Sequence, residues 1–129
     1  MKRIKKVITV FILSLCVVLQ FTAIAQAAVH NYGLLTLPAP RVEVEITHGY
    51  KANNYTYARV KLNGGTANYI YVRFLKNDAE VSNGTTKIAQ NDTYTTVYYT
   101  STVAYNDYVV AKAHQRNVAN KTAAGAVIF

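Results

Sequence analysis

Short runs in which apolar β-branched residues alternate with polar ones are the feature that most constrains this chain. In the segment RVEVEITH, residues 41–48, valine and isoleucine occupy the even positions up to Ile46, and charged or polar residues occupy the odd ones. A period of two places alternate side chains on opposite faces of an extended backbone, whereas a helix needs a period of 3.6. The segment therefore predicts a half-buried strand.

Similar runs recur along the rest of the chain, separated by residues that favour turns, such as Asn83-Gly84. They span residues 55–63, 67–75, 93–103, 107–114 and 122–129, with a weaker run within 79–89. Six or seven short strands at this spacing predict an all-β fold, an antiparallel β-sandwich or a small barrel, in one domain over residues 41–129. Residues 28–40, which hold both prolines, predict an irregular lead-in.

The first 27 residues have the three zones of a secretory signal peptide. Four cations among the first six residues precede a nearly uninterrupted apolar stretch over 7–24, and Ala25-Gln26-Ala27 supplies small residues at a cleavage site. The cationic start and the long apolar stretch are typical of a Gram-positive bacterium. The alternative is a retained membrane anchor, because the stretch approaches the ~18 residues of a spanning helix.

Cleavage would change both the cysteine content and the charge. Cys16, the single cysteine, lies in the signal, so the mature chain would start near Ala28 and fold without disulfides. The precursor carries 14 Lys and Arg against 6 Asp and Glu, and loss of the four signal cations leaves ten against six, a net charge of +4. This balance favours anionic surfaces weakly and does not predict nucleic-acid binding.

Two neighbouring runs place tyrosines and cations in step around Gly64-Gly65-Thr66. In both runs the apolar residues are even-numbered, which predicts that Val60, Leu62, Ile70, Val72 and Phe74 face the core. A hairpin with a three-residue loop keeps both even sets on one face. Its register pairs Lys61 with Tyr69, Arg59 with Tyr71, and Tyr57 with Arg73.

This outer strip has two interpretations. Cross-strand cation–tyrosine pairs stabilise a sheet by roughly 0.2–1 kcal/mol each without any ligand. The same strip also suits a polymer with sugar rings and anionic groups, because tyrosine offers flat apolar rings and arginine matches phosphate or carboxylate. The candidate binding residues are Tyr57, Arg59, Lys61, Tyr69, Tyr71 and Arg73.

Residues that would indicate catalysis are sparse. His30, His48 and His114 lack metal-ligand spacing, so no metal or other cofactor is expected. Glu43 and Glu45 alternate on one strand face near enough for a glycosidase pair, but that chemistry needs one of them in an apolar pocket. With no nucleophile or phosphate-loop motif either, the sequence predicts a non-enzyme.

The run that ends at Phe129 predicts a last strand that completes the core; the alternative is a membrane-active or partner-docking terminus. The signal, the missing cysteines and the Tyr/Thr/Val strand rhythm over 41–129 resemble small exported β-domain proteins of unknown function from Gram-positive bacteria. His48-Gly49-Tyr50 followed by tyrosine-rich strands is similar, more faintly, to lactococcin-type β-sandwich bacteriocins, although this chain has no tryptophan. The second resemblance implies an antibacterial role.

Together these observations predict a protein that is secreted or associated with the cell wall. Its expected role is binding an anionic envelope polymer or a protein partner, without a stable membrane span after cleavage and without nucleic acid. An exported antibacterial protein is the alternative.

The three-zone N-terminus generates a first testable prediction. Mass spectrometry of culture supernatant should detect a chain that begins at about residue 28, because a signal peptidase would cut after Ala27. An intact N-terminus recovered only from the membrane fraction would contradict it.

Overall fold

Residues 28–129 are described by a computed structural model, and they form nine β-strands. The signal peptide expected at residues 1–27 lies outside the described residues. The strands are β1 (Val29–Leu37), β2 (Val44–Tyr50), β3 (Tyr57–Gly65), β4 (Tyr69–Lys76), β5 (Ala79–Glu80), β6 (Thr86–Ala89), β7 (Thr95–Tyr98), β8 (Tyr108–His114) and β9 (Lys121–Ile128). Residues 28–129 contain no helix, so none that could cross a membrane.

Two antiparallel sheets pack face to face, which confirms the predicted all-β sandwich. The four-stranded sheet has the order β1-β9-β3-β7. In the five-stranded sheet β2, β8 and β4 are neighbours, and β5 and β6 share the far edge of β4. The sheets do not close on themselves, so the small-barrel alternative is wrong.

The expected irregular lead-in is a strand for most of its length, which is one reason why nine strands form instead of six or seven. Tyr32 and Leu37 both face the core although one is even-numbered and the other odd. A register shift between Tyr32 and Leu35, where β1 pairs with β9, changes which positions face inward. The shift breaks the period of two, and the strand is therefore hidden in the sequence.

The weak run over 79–89 is the other reason, because it forms two short strands, β5 and β6, along β4. The longer run over 93–103 contributes only the four residues of β7. The first run also differs from its prediction at one end, since Ile46 is buried but Val42 lies before β2 and is exposed.

The predicted hairpin between β3 and β4 is wrong, because these strands lie in different sheets. β3 pairs with β9 and β7, whereas β4 pairs with β8, β6 and β5. Gly64 and Gly65 continue β3 alongside β9 instead of forming a loop, and the chain crosses between the sheets over residues 66–68. The even numbering of the apolar residues in both runs does not identify a hairpin, because a crossover between sheets also leaves even-numbered residues facing the core.

The predicted inward faces are confirmed. All five residues assigned to the core have no exposed surface: Val60, Leu62, Ile70, Val72 and Phe74. The final run is confirmed as a core strand, since β9 is hydrogen-bonded to β1 on one side and β3 on the other, and the adjoining Phe129 ring packs against Phe74 with centroids 5.9 Å apart.

Gly125 lies where three strands meet and has no room for a side chain. A Cβ there would lie 1.9 Å from the backbone oxygen of Lys61 and 2.5 Å from the Tyr32 hydroxyl, which itself donates a 2.8 Å hydrogen bond to that oxygen. The backbone oxygen cannot move without disturbing β3. Glycine is therefore required for β1, β9 and β3 to pack this closely.

Gly125→Ala should destabilise the fold by about 1–3 kcal/mol, because overpacking a filled interior forces backbone shifts. Gly33→Ala in β1 is the matched control, since a Cβ there meets nothing within 4 Å and should change stability by no more than about 0.5 kcal/mol. Urea unfolding of both variants measures the difference. Equal stabilities would contradict the packing described here.

Candidate functional site

The six predicted binding residues are divided between two opposite surfaces. Tyr57, Arg59 and Lys61 lie on the outer face of the four-stranded sheet, and Tyr69, Tyr71 and Arg73 lie on the outer face of the five-stranded sheet. Because sandwiched sheets pack through their inner faces, the two outer faces point away from each other. The predicted cross-strand pairs do not form, and no single strip contains all six residues.

The β3 residues belong to a larger surface that we call the tyrosine–cation face. It consists of Tyr55, Tyr57, Arg59, Lys61, Tyr94 and Tyr98. The ring of Tyr57 stacks on Tyr55 with centroids 5.1 Å apart, and it meets Tyr98, its partner on β7, edge to face at 5.9 Å. These contacts hold three tyrosines together at one end of β3.

Both cations of this face lie against Tyr94. The Arg59 guanidinium carbon is 5.8 Å from the Tyr94 ring centroid, and Lys61 Nζ is 5.1 Å from it, within the range of cation–π attraction. Lys61 is also 3.6 Å from a carboxylate oxygen of Asp92, whose side chain is 92% exposed. Within residues 28–129, Arg59 forms no ion pair. Both cations are half-buried against the sheet, and neither is paired with a buried carboxylate in the described part of the chain.

Arg73 of β4 differs from the cations of β3, because its guanidinium forms ion pairs with two carboxylates. Its two terminal nitrogens contact Glu43 at 2.5 Å and Glu80 at 3.2 Å. Hydrogen bonds and charge from these two glutamates raise the pKa of Arg73 above its ordinary value. Arg73, which the sequence predicts to bind a ligand, thus has its charge compensated within the protein.

The tyrosines of β4 are also covered by neighbouring side chains. His114 stacks on Tyr71 with centroids 5.3 Å apart, and the Arg116 guanidinium carbon is 4.0 Å from the same ring. Lys87 Nζ lies 4.2 Å from the Tyr69 centroid. The outer face around β4 therefore fits the interpretation in which cations and tyrosines pair with neighbouring side chains and stabilise the sheet without any ligand.

Glu43 and Glu45 have separate partners. Glu43 is held by Arg73, and Glu45 forms an ion pair with His48. Neither lies in an apolar pocket of the kind that raises a carboxyl pKa for general acid catalysis. In the part of the chain that the structure describes, no group of three or more His, Cys, Asp or Glu residues could hold a metal ion.

Two histidines, half-buried His30 and buried His114, each have one buried ring nitrogen that forms no hydrogen bond within the described residues. His30 packs against Gly49 and Phe129, and burial, followed by the charge of His48, lowers its pKa below 6.5. Burial also lowers the pKa of His114; Glu43 opposes that shift, and the charges of Arg116, Arg41 and Arg73 add to it. The sequence marks neither ring, since His30 lies in the segment that it predicts to be irregular and His114 lies at the end of a predicted strand.

A buried lysine, also unmarked in the sequence, fixes the loop before β3. Lys51 is 1% exposed, and its Nζ donates to the backbone oxygen of Asn53 at 2.5 Å and to its side-chain oxygen at 2.8 Å. Asn53 Nδ2 in turn donates to the Phe129 backbone oxygen at 2.8 Å. Burial lowers the pKa of Lys51, and the charge of Asp107 partly offsets that shift. This network ties residues 51–55 to the end of β9.

No protein-family model, curated protein or solved structure matched this chain.

The lowered pKa values of His30 and His114 predict a loss of stability in mild acid. In the unfolded chain they bind protons near the ordinary pKa of 6.5, whereas in the folded protein they resist protonation until a lower pH. Stability should therefore fall as the pH drops from about 7.5 to about 5, because the unfolded state then binds more protons.

Urea unfolding of the wild type, His30→Gln and His114→Gln at both pH values measures this effect. Each variant should lose less stability on acidification than the wild type loses, and the double variant least of all. The same loss in all four proteins would contradict the assignment.

Proposed function

We propose that this protein is an exported, non-enzymatic β-sandwich that binds an anionic polymer of the cell envelope through the tyrosine–cation face. The observation that carries the proposal is the state of Arg59 and Lys61. Both lie against Tyr94, and no buried carboxylate compensates either charge. Arg73 on the opposite surface is held by two glutamates and is a poorer candidate.

The shape of the face favours a linear polymer over a small ion. Tyr57, Arg59 and Lys61 are alternate residues of one strand, so at ~3.3 Å per residue the row spans about 13 Å. Tyr55 and Tyr98, both more than half exposed, extend the row with flat rings. Such rings suit sugar units, while arginine and lysine attract phosphate or carboxylate groups between them.

Secretion and a Gram-positive source support the choice of polymer, and both remain proposals from the N-terminal signal. A wall glycan that carries anionic chains, such as a teichoic acid, combines sugar rings with repeated negative charge. A secreted protein partner with an acidic surface would offer the charge without the sugar rings.

Sedimentation with purified Gram-positive cell walls tests the proposal. We expect the wild-type protein to sediment with walls at low salt and to be released as salt rises, because screening shortens electrostatic attraction to ~8 Å at physiological ionic strength. Arg59→Ala/Lys61→Ala should weaken binding about ten-fold or more, at roughly 1 kcal/mol for each lost charged contact.

Lys87→Ala/Lys112→Ala is the matched control, because it removes the same charge from the other sheet and should sediment like the wild type. Walls stripped of their anionic polymer should retain little protein. The proposal fails if the wild type does not sediment at low salt, or if both double variants sediment equally. Growth inhibition of Gram-positive strains by purified protein tests the antibacterial alternative separately.

A further inference from the structure

A pocket opens at one end of the sandwich, beside the tyrosine–cation face. Its volume is about 470 Å³, which lies within the ~300–1,000 Å³ of small-molecule sites. Two segments line it: Asn54 and Thr56 before β3, and residues 99–104 after β7. A 2.9 Å hydrogen bond from the Tyr99 amide to the Thr56 backbone oxygen joins the two segments.

The lining is polar without being charged. Asn54, Thr56 and residues 100–102 contribute one side-chain amide and four hydroxyls, and no acidic or basic side chain lines the pocket. Within residues 28–129, the side chains of Asn54, Thr56, Ser101 and Thr102 form no hydrogen bond, although Thr100 Oγ1 donates to the backbone oxygen of Val81. These groups can both donate and accept, which suits a ligand rich in hydroxyl groups.

Tyr99 supplies an aromatic wall with an unusual hydroxyl. Its ring packs edge to face on Phe74, with centroids 5.9 Å apart. Its hydroxyl is buried and has no hydrogen-bond partner in the described part of the chain. Because this hydroxyl is buried from solvent, it is out of reach of a ligand in the pocket, and Tyr99 contributes to the lining through its other atoms.

Exposed aromatic rings next to the pocket add contacts that suit a sugar. Tyr98 and Tyr55, neighbours of Tyr99 and Thr56 along the chain, are 66% and 53% exposed. Aromatic rings beside hydroxyl and amide groups offer both kinds of contact that a pyranose presents, its apolar C–H face and its ring of hydroxyls. The absence of charge in the lining excludes a strongly anionic ligand as the preferred occupant.

We propose that this pocket is a second binding site, which takes a single neutral sugar residue. The site is chemically distinct from the tyrosine–cation face, since it contains no cation and the face contains two. It does not require the polyanion proposal to hold. If both sites act, the pocket would bind a neutral sugar unit while the tyrosine–cation face binds an anionic stretch of the same polymer.

Titration of ¹⁵N-labelled protein with neutral sugars tests the inference. The probes are N-acetylglucosamine, its soluble tetramer, glucose and galactose, each followed by amide chemical shifts. We expect at least one of them to shift the amides of residues 99–104 and 54–56 in a saturable manner. The inference is overturned if none of the four does so, or if the shifts fall elsewhere on the protein.

Ser101→Ala/Thr102→Val is the sharpest variant, because it removes two exposed lining hydroxyls that form no hydrogen bond within residues 28–129. It should change the thermal unfolding midpoint little, yet raise the Kd for the sugar about three- to ten-fold for each hydrogen bond lost. Asn54→Ala, which removes the side-chain amide of the lining, should also weaken binding. Thr36→Val, which removes an exposed hydroxyl from β1 at the other edge of the sheet, is the matched control and should bind like the wild type.

Wild-type affinity in both pocket variants would overturn the assignment. Arg59→Ala/Lys61→Ala should keep its sugar affinity, since neither residue lines the pocket. The two proposals can therefore fail independently. A wild-type protein that does not sediment with walls counts against the tyrosine–cation face alone, and a wild-type protein that binds none of the sugars counts against the pocket alone.

Discussion

The close approach of β3 to β9 is the contact on which the rest of the sandwich depends. A Cβ on Gly65 would lie 2.2 Å from the Thr122 backbone oxygen, and one on Gly125 would lie 1.9 Å from that of Lys61. Only glycine allows the two strands to meet at both points. Because β3 pairs with β9, it joins the four-stranded sheet, and the chain must then cross to the other sheet before β4 begins. The division of the predicted binding strip follows from this crossover.

Hydrogen bonds from buried polar side chains join loops that are distant in the sequence, a role that disulfides have in many small secreted domains. Gln115 has no exposed surface, and its amide nitrogen donates to the backbone oxygens of Pro38 and Ala119, each at 3.0 Å. At the other end, Lys51 and Asn53 connect the loop before β3 to Phe129. Each satisfied donor also removes the cost of a buried polar group. The loop before β3, which leads to Asn54 in the pocket lining and to Tyr55 in the tyrosine–cation face, is therefore held by specific hydrogen bonds.

The two outer faces have similar residues but different electrostatics. Tyrosines and cations are abundant on both, yet Glu43 and Glu80 compensate Arg73 on one face, while Arg59 on the other lies against Tyr94 and forms no ion pair within the described residues. Composition alone gives the two faces the same apparent capacity to bind an anion. What separates them is whether a carboxylate from a distant strand reaches the guanidinium group, because an arginine already held by two glutamates attracts a ligand less.

The sequence by itself determined the all-β class and which side chains face inward, because alternation is a local property that survives any arrangement of strands. Val60, Ile70 and their alternate neighbours were assigned correctly for this reason, and Tyr57, Arg59 and Lys61 were correctly placed together on one face. Only the tertiary structure decided which strands are neighbours. It separated β3 from β4 and brought Tyr94 and Tyr98 beside β3. It also contains the register shift in β1 that removes the period of two from that segment of the sequence. The parity of apolar residues is the same for a hairpin and for a crossover, so strand pairing depends on long-range contacts such as those at Gly65 and Gly125. The pocket was equally invisible, since its lining comes from segments more than forty residues apart.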